Sequence, residues 1–225
     1  MLRIGHRGAA ALAPENSLAA IEVAAEHGVD VVELDVLRGT HGELVLAHGP
    51  EIPHDAPSLD DGLALAARLG LAVQLDVKLA GIEAGVVEAL GHTDRDPRSF
   101  ISSFSLPILA AFEALAPELP RSYTYPEDRL GVTSVRLLRP AVRAGLVVLR
   151  AALPRRLPAW LRAAGASAAT LNWTVVSPAV VSVCHELGVS VYAWTVNDRA
   201  LAKTLLESGI DGIITDDPGI FAGET

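Results

Sequence analysis

Residues 28–48 read GVDVVELDVLRGTHGELVLAH, and this stretch decides the fold. It opens on a glycine that follows a helical stretch, then passes at once into a β-branched, apolar run. The same junction recurs in LGLAVQLDV (69–77), LGVSVYAWTV (187–196) and SGIDGIIT (208–215), with a fainter copy in AAGASAATL (163–171). Gly28, Gly70, Gly188 and Gly209 suit the left-handed position that ends a helix. The runs after them are nearly all apolar, as strands covered on both faces are. Strands are predicted near residues 2–5, 31–37, 43–47, 72–77, 100–103, 121–124, 168–171, 190–195 and 211–214. Only Gly39 to Gly42 separate the second from the third, whereas a parallel crossover needs about a dozen residues or more. Those two form a hairpin, leaving eight parallel strands alternating with helices. A closed (β/α)8 barrel explains this count best, with an open doubly wound sheet as the fallback.

The hairpin carries a register. If Arg38 faces Glu43, then Asp35 faces Leu46 and Glu33 faces His48, and opposed residues project to one face. Glu33 and Asp35 share a face by the period-two rule. Two carboxylates and a histidine then converge, and a slip of one residue would undo this.

Size and charge are consistent with one such barrel. With 225 residues and 50% hydrophobic composition, the chain can bury a sizeable core in a single domain, residues 1–225. A net charge of -9 argues against nucleic acid as a partner. Cys184 has no partner for an internal disulfide, the start MLRIGHRG lacks a secretory pattern, and no apolar run reaches a membrane-spanning length. A cytoplasmic protein is expected. The charge is uneven: residues 129–185 hold eight arginines and no acid. Apolar residues alternate with them in a basic amphipathic stretch interrupted by Pro140, Pro154 and Pro158. A solvated helix outside the barrel, or a self-association surface, is the favoured reading of 129–162, and peripheral contact with anionic lipid the sharper one.

The active site of such a barrel lies at the carboxyl ends of its strands. There stand His6 and Arg7, Glu33 and Asp35, Asp76 and Lys78, Trp194, and Thr215-Asp216-Asp217. Carboxylates on different strands, with no cysteine nearby, suit one hard divalent cation, Mg2+ or Ca2+. Two histidines can act as general base and general acid about a phosphorus centre. Arg7 and Lys78 can hold phosphate oxygens, or pair with the same carboxylates. Asn16 and Ser17 read as helix-start residues, and Asp216 and Asp217 as turn residues. The other five histidines are given no role.

These residues resemble the glycerophosphodiester phosphodiesterases, a family of TIM barrels: GHRG followed by APENSLAAI, VELDV, LVLAH, DVK, SSFS, YAWTVN and GIDGIITDDP, in that order. The resemblance spans nearly the whole chain and is thinnest between residues 120 and 170. It implies metal-dependent hydrolysis of a glycerophosphodiester to sn-glycerol 3-phosphate and an alcohol. It further implies His6 and His48 as the acid–base pair, Glu33 and Asp35 as metal ligands, and Arg7 as the phosphate-binding arginine. Asp76 and Lys78 match an E-x-K motif with aspartate for glutamate, making Asp76 the third ligand, and Trp194 matches an aromatic that packs on the substrate. Gly49-Pro50-Glu51 after His48 departs from the family pattern of aspartate and then leucine-arginine-threonine-threonine. Only 27 residues separate His48 from Asp76, so the cap inserted there is reduced. Two other readings stand beside this one: lysophospholipase D-like action at a membrane, and a barrel that binds without catalysing.

Overall fold

The structure, a computed structural model, describes residues 1–49, 51–93, 96–127 and 139–222; of residues 139–144, 146 and 147 it describes only the backbone. Nine strands form one sheet: β1 Leu2–Gly5, β2 Val31–Arg38, β3 Leu44–Leu46, β4 Ala72–Val77, β5 Phe100–Ser103, β6 Arg121–Tyr125, β7 Ala168–Asn172, β8 Ser190–Trp194 and β9 Gly212–Thr215. Their order is β1-β9-β8-β7-β6-β5-β4-β2, and β1 pairs with β2 to close the ring. Every pair around the ring is parallel; β3 alone is antiparallel, hung on β2 as a hairpin. This is the expected closed (β/α)8 barrel with its hairpin excursion.

Helices alternate with the strands: α1 Leu18–Glu26, α2 Leu59–Arg68, α3 Glu83–Gly91, α4 Leu106–Leu115, α5 Arg139–Ala163, α6 Pro178–Glu186 and α7 Arg199–Glu207. Four begin on a side chain that accepts an otherwise unpaired backbone N–H: Ser17, Ser58, Ser177 and Asp198. The glycines read from sequence as helix ends all have positive φ, between 70° and 90°.

Period-two alternation sorts each strand between two apolar layers. Val32, Leu34 and Val36 of β2, with Val73, Leu75 and Val77 of β4, face the helices. Val31 and Ala72 face inward, where Ile4, Phe100 and Ile214 join them in a second, smaller core inside the ring. Glu33, Asp35, Gln74 and Asp76 continue the inward face toward the carboxyl ends of the strands, and all four are buried.

The hairpin register differs from the expectation by one residue. Val36 pairs with Leu46, Leu37 with Val45 and Arg38 with Leu44, so Glu33 and His48 are not opposed. The cause lies in the turn. The Glu43 carbonyl accepts from the Gly39 N–H in the same register as these pairs, so Gly39 and not Arg38 faces Glu43, and the Glu43 carboxylate folds back onto the His41 N–H inside the turn. Strand β3 ends at Leu46, one further bond joins the Ala47 N–H to the Asp35 carbonyl, and His48 lies past it.

Helix α5 also differs, running unbroken through Pro154 and Pro158. Pro140 is its second residue, where a missing N–H leaves no bond unmade. Leu153, Leu157 and Leu161, spaced four apart, are buried in the main core and hold the proline-bearing turns in place, while Arg150, Arg155, Arg156 and Arg162 are exposed. Arg129 and Arg136 lie outside the described residues, as do the side chains of Arg139 and Arg143.

Candidate active site

The turn after β1 is built by backbone. Arg7 takes φ 50° and Gly8 φ 85°. A Cβ on Gly8 would come within 2.6 Å of the Ala20 backbone, so only glycine lets this turn lie against the start of α1. The turn aims the Arg7 N–H at Glu33 Oε2, 2.8 Å away. It also brings the Arg7 Nε within 3.1 Å of Asp35 Oδ2 and its Nη1 within 2.5 Å of Glu15.

Three carboxylates meet beside it. Glu33, Asp35 and Asp76 each offer an oxygen, and these oxygens lie within 4.8 Å of one another. Strand pairing enforces this, because Asp35 and Asp76 are direct partners across β2 and β4. Lys78 Nζ pairs with Asp35 Oδ1 and lies 3.5 Å from Asp76 Oδ2. The Ser102 hydroxyl donates to Asp76 at 2.9 Å and receives the Gln74 amide at 3.0 Å.

Burial and crowding set the electrostatics. Burial, with Asp35 nearby, pushes the Glu33 carboxyl up to about 7. Burial likewise raises Asp76, against the pull of Lys78. Asp35 feels the same burial, but Lys78, Arg7 and Asn16 outweigh it and hold its carboxyl below the usual range. The two histidines move apart. Burial lowers His6, yet Glu33 and Asp216 override it and the net shift is upward; burial and Lys78 lower His48. Two raised carboxyls among three mark a surplus of negative charge that a hard divalent cation with oxygen ligands would relieve. The donor set fits such an ion.

The eight residues given catalytic, metal-binding or substrate-binding roles from sequence line one cavity of about 560 Å3: His6, Arg7, Glu33, Asp35, His48, Asp76, Lys78 and Trp194. His48 reaches it from the exposed loop after β3 and not from the strand face. Trp194 donates its ring N–H to the Thr170 carbonyl at 3.2 Å and packs edge-on against Phe104.

Two neighbours were misread from sequence. Asn16 is buried with φ 56°, and its side chain donates to Asp35 Oδ2 and accepts the Asp35 N–H; Ser17 alone caps α1. Asp216 accepts from His6 Nδ1 at 2.6 Å, while Asp217 makes the turn by accepting the Gly219 N–H. The available signal for Asp216 was its place just past a barrel strand. Asn16 offered none, since its partner is on another element.

Comparison with known proteins agrees with this architecture. The sequence matches the Glycerophosphoryl diester phosphodiesterase family over residues 6–61 and 72–220. It is 28% identical over 256 residues to a glycerophosphodiester phosphodiesterase of Caldanaerobacter subterraneus subsp. tengcongensis, covering 96% of this chain and 94% of that one. A glycerophosphodiester phosphodiesterase of Bacillus altitudinis is 25% identical over 252 residues, covering 95% and 93%. In fold, the chain superposes on an Oleispira antarctica phosphodiesterase solved with the product sn-glycerol-3-phosphate, at a TM-score of 0.80, 23% identity and coverage of 97% and 94%. The chain therefore belongs to the glycerophosphoryl diester phosphodiesterase family, whose members are phosphoric diester hydrolases.

Proposed function

We propose that this protein hydrolyses glycerophosphodiesters to sn-glycerol 3-phosphate and an alcohol, with the help of one divalent cation, Mg2+ or Ca2+. The observation that carries the reading is the meeting of three buried carboxylates, two cationic side chains and two histidines around one cavity. The Oleispira relative, solved with sn-glycerol-3-phosphate, supports the choice of substrate.

A cation held by Glu33, Asp35 and Asp76 would supply charge neutralisation at a phosphoryl oxygen. Arg7 and Lys78, on the wall beside the carboxylates, are the groups to receive phosphate oxygens. His6, half-buried beside Glu33, and His48, at the exposed mouth, stand on separate elements. One takes the proton of the attacking hydroxyl or water, and the other gives a proton to the departing alkoxide. Trp194 packs against the substrate. No helix among the described residues is long and apolar enough to cross a membrane, and a cytoplasmic location is part of the proposal.

The test is release of glycerol 3-phosphate from glycerophosphocholine and glycerophosphoethanolamine, with EDTA and with added Mg2+ or Ca2+, beside His6→Ala. Cation-dependent turnover that disappears in the variant is expected. Absence of turnover with either cation on these substrates would overturn the reading.

A further inference from the structure

We infer that Asp216, itself held by Asn197, is the positioning residue that fixes the His6 ring with Nδ1–H directed at the Asp216 carboxylate, leaving Nε2 as the nitrogen that exchanges the proton. The inference rests on the reading of His6 as an acid–base group and goes one step beyond it.

The geometry makes a chain. His6 Nδ1 lies 2.6 Å from Asp216 Oδ1, and the Asn197 amide donates to Asp216 Oδ2 at 2.6 Å. Asn197 Oδ1 in turn accepts the Asp216 N–H at 2.9 Å and the Thr215 hydroxyl at 3.0 Å. Both ends are tied to backbone. The His6 N–H donates to the Thr215 carbonyl at 2.7 Å, and the Ala11 N–H donates to the Asp216 carbonyl at 3.0 Å. Gly5 and Thr215 are register partners, so the ladder of β1 and β9 delivers His6 and Asp216 side by side.

A turn residue does not account for this. The turn after β9 is made by Asp217, whose side chain accepts the Gly219 N–H, and by the Thr215 hydroxyl, which accepts the Asp217 N–H. Asp216 contributes no side-chain bond to it; both of its oxygens are spent on His6 and Asn197. A carboxylate can only accept, so it selects the ring tautomer with the proton on Nδ1. The other nitrogen, Nε2, lies 3.9 Å from Glu33 Oε2, on the side of the three carboxylates. Its lone pair is then available to take a proton, and the imidazolium that results stays paired with Asp216, which takes no proton itself.

The experiment uses the full chain with Mg2+, and with Ca2+ in parallel. In the wild type, the 15N spectrum of the neutral His6 ring is expected to show the proton on Nδ1 alone. Asp216→Asn is expected to bring in the Nε2–H form and to lower kcat for glycerophosphocholine on the order of 100-fold or more, with KM within about threefold. Asn197→Ala, which frees one carboxylate oxygen, is expected to lower kcat by about tenfold. A wild-type ring protonated on Nε2, or an Asp216→Asn protein with kcat within threefold of wild type, would overturn the inference. If Asp216→Asn does not fold, the wild-type spectrum and Asn197→Ala decide. A wild type that shows Nδ1–H yet hydrolyses nothing would fail the hydrolase reading and leave the ring assignment standing.

Discussion

Replacing Glu33 with glutamine should make the cation-free protein more stable. Glu33 is 4% exposed and has Asp35 and Asp76 oxygens within 4.8 Å. Its carboxyl is raised from the usual 4.5 to about 7. Below pH 4.5 the group is protonated in both folded and unfolded chains and costs nothing. Between 4.5 and about 7 the unfolded chain ionises first, so stability falls as pH rises, and above that range the whole cost remains. The shift corresponds to about 3 kcal/mol. Glutamine keeps an oxygen for the Arg7 N–H but gives up the attraction to His6, so a gain of about 2–3 kcal/mol is expected at pH 8, shrinking to under about 1 kcal/mol at pH 5. For a chain of this size that is a rise in Tm of roughly 4–12 °C. Thermal melts in EDTA at both pH values measure it. Added Mg2+ should close the gap at a hundredfold excess over Kd, where wild type gains about 2.7 kcal/mol, and reverse it at a thousandfold excess, where the gain is about 4.1 kcal/mol, because the variant has lost a ligand. A variant that melts below wild type at pH 8 in EDTA, or a gap equal at both pH values, would refute the reasoning.

Arg121 is 6% exposed and donates to the carbonyls of Leu119, Ala164 and Gly165, so Arg121→Met should cost about 3 kcal/mol or more in urea unfolding and leave kcat of the folded fraction unchanged. Asn16→Ala removes both bonds to Asp35 and places alanine at φ 56°; Mg2+ affinity by calorimetry should fall at least about tenfold. Changing the exposed Arg150, Arg155, Arg156 and Arg162 together to glutamine should move stability by less than about 0.5 kcal/mol each. Co-sedimentation with anionic vesicles should be the same for this variant and wild type, because the leucine stripe between these arginines is buried in the main core; binding that falls in the variant would restore the lipid reading.

The sequence showed the barrel because its two signals are local. Glycine-ended helices running into apolar strands recur along the chain, and five residues between β2 and β3 leave room only for a hairpin. Serine before α1 and α2 caps each helix as its position suggests. The register of the hairpin was not legible, because it depends on how many residues the turn takes, and the bond from the Gly39 N–H to the Glu43 carbonyl leaves three, a number that alternation does not encode. Asn16 and Asp216 were assigned local duties that Ser17 and Asp217 perform. Their actual partners stand 19 and 210 residues away, a relation no local pattern reports. The unbroken course of α5 was hidden for a similar reason: its prolines argue locally for a break, and the packing of Leu153, Leu157 and Leu161 overrides them.

The division between what was legible and what was not follows the mechanics of the site. The carboxylates belong to strands, where pairing fixes Asp35 beside Asp76 and alternation places Glu33 on the same inward face. Neighbouring strands lie about 4.8 Å apart, so three acids on this face are forced together and cannot relax by spreading. Their repulsion is a property of the scaffold. It has to be met by charge, first from Lys78, which follows Asp76 by two residues and so falls on the same side of the chain, and from Arg7, which the Gly8 turn presses inward. The histidines lie outside the strands, one residue past β1 and two past β3, so neither has its ring aimed by a ladder. A proton-carrying ring in such a place needs a second side chain to hold it. His6 has one in Asp216, whose Oδ1 lies 2.6 Å from the ring Nδ1.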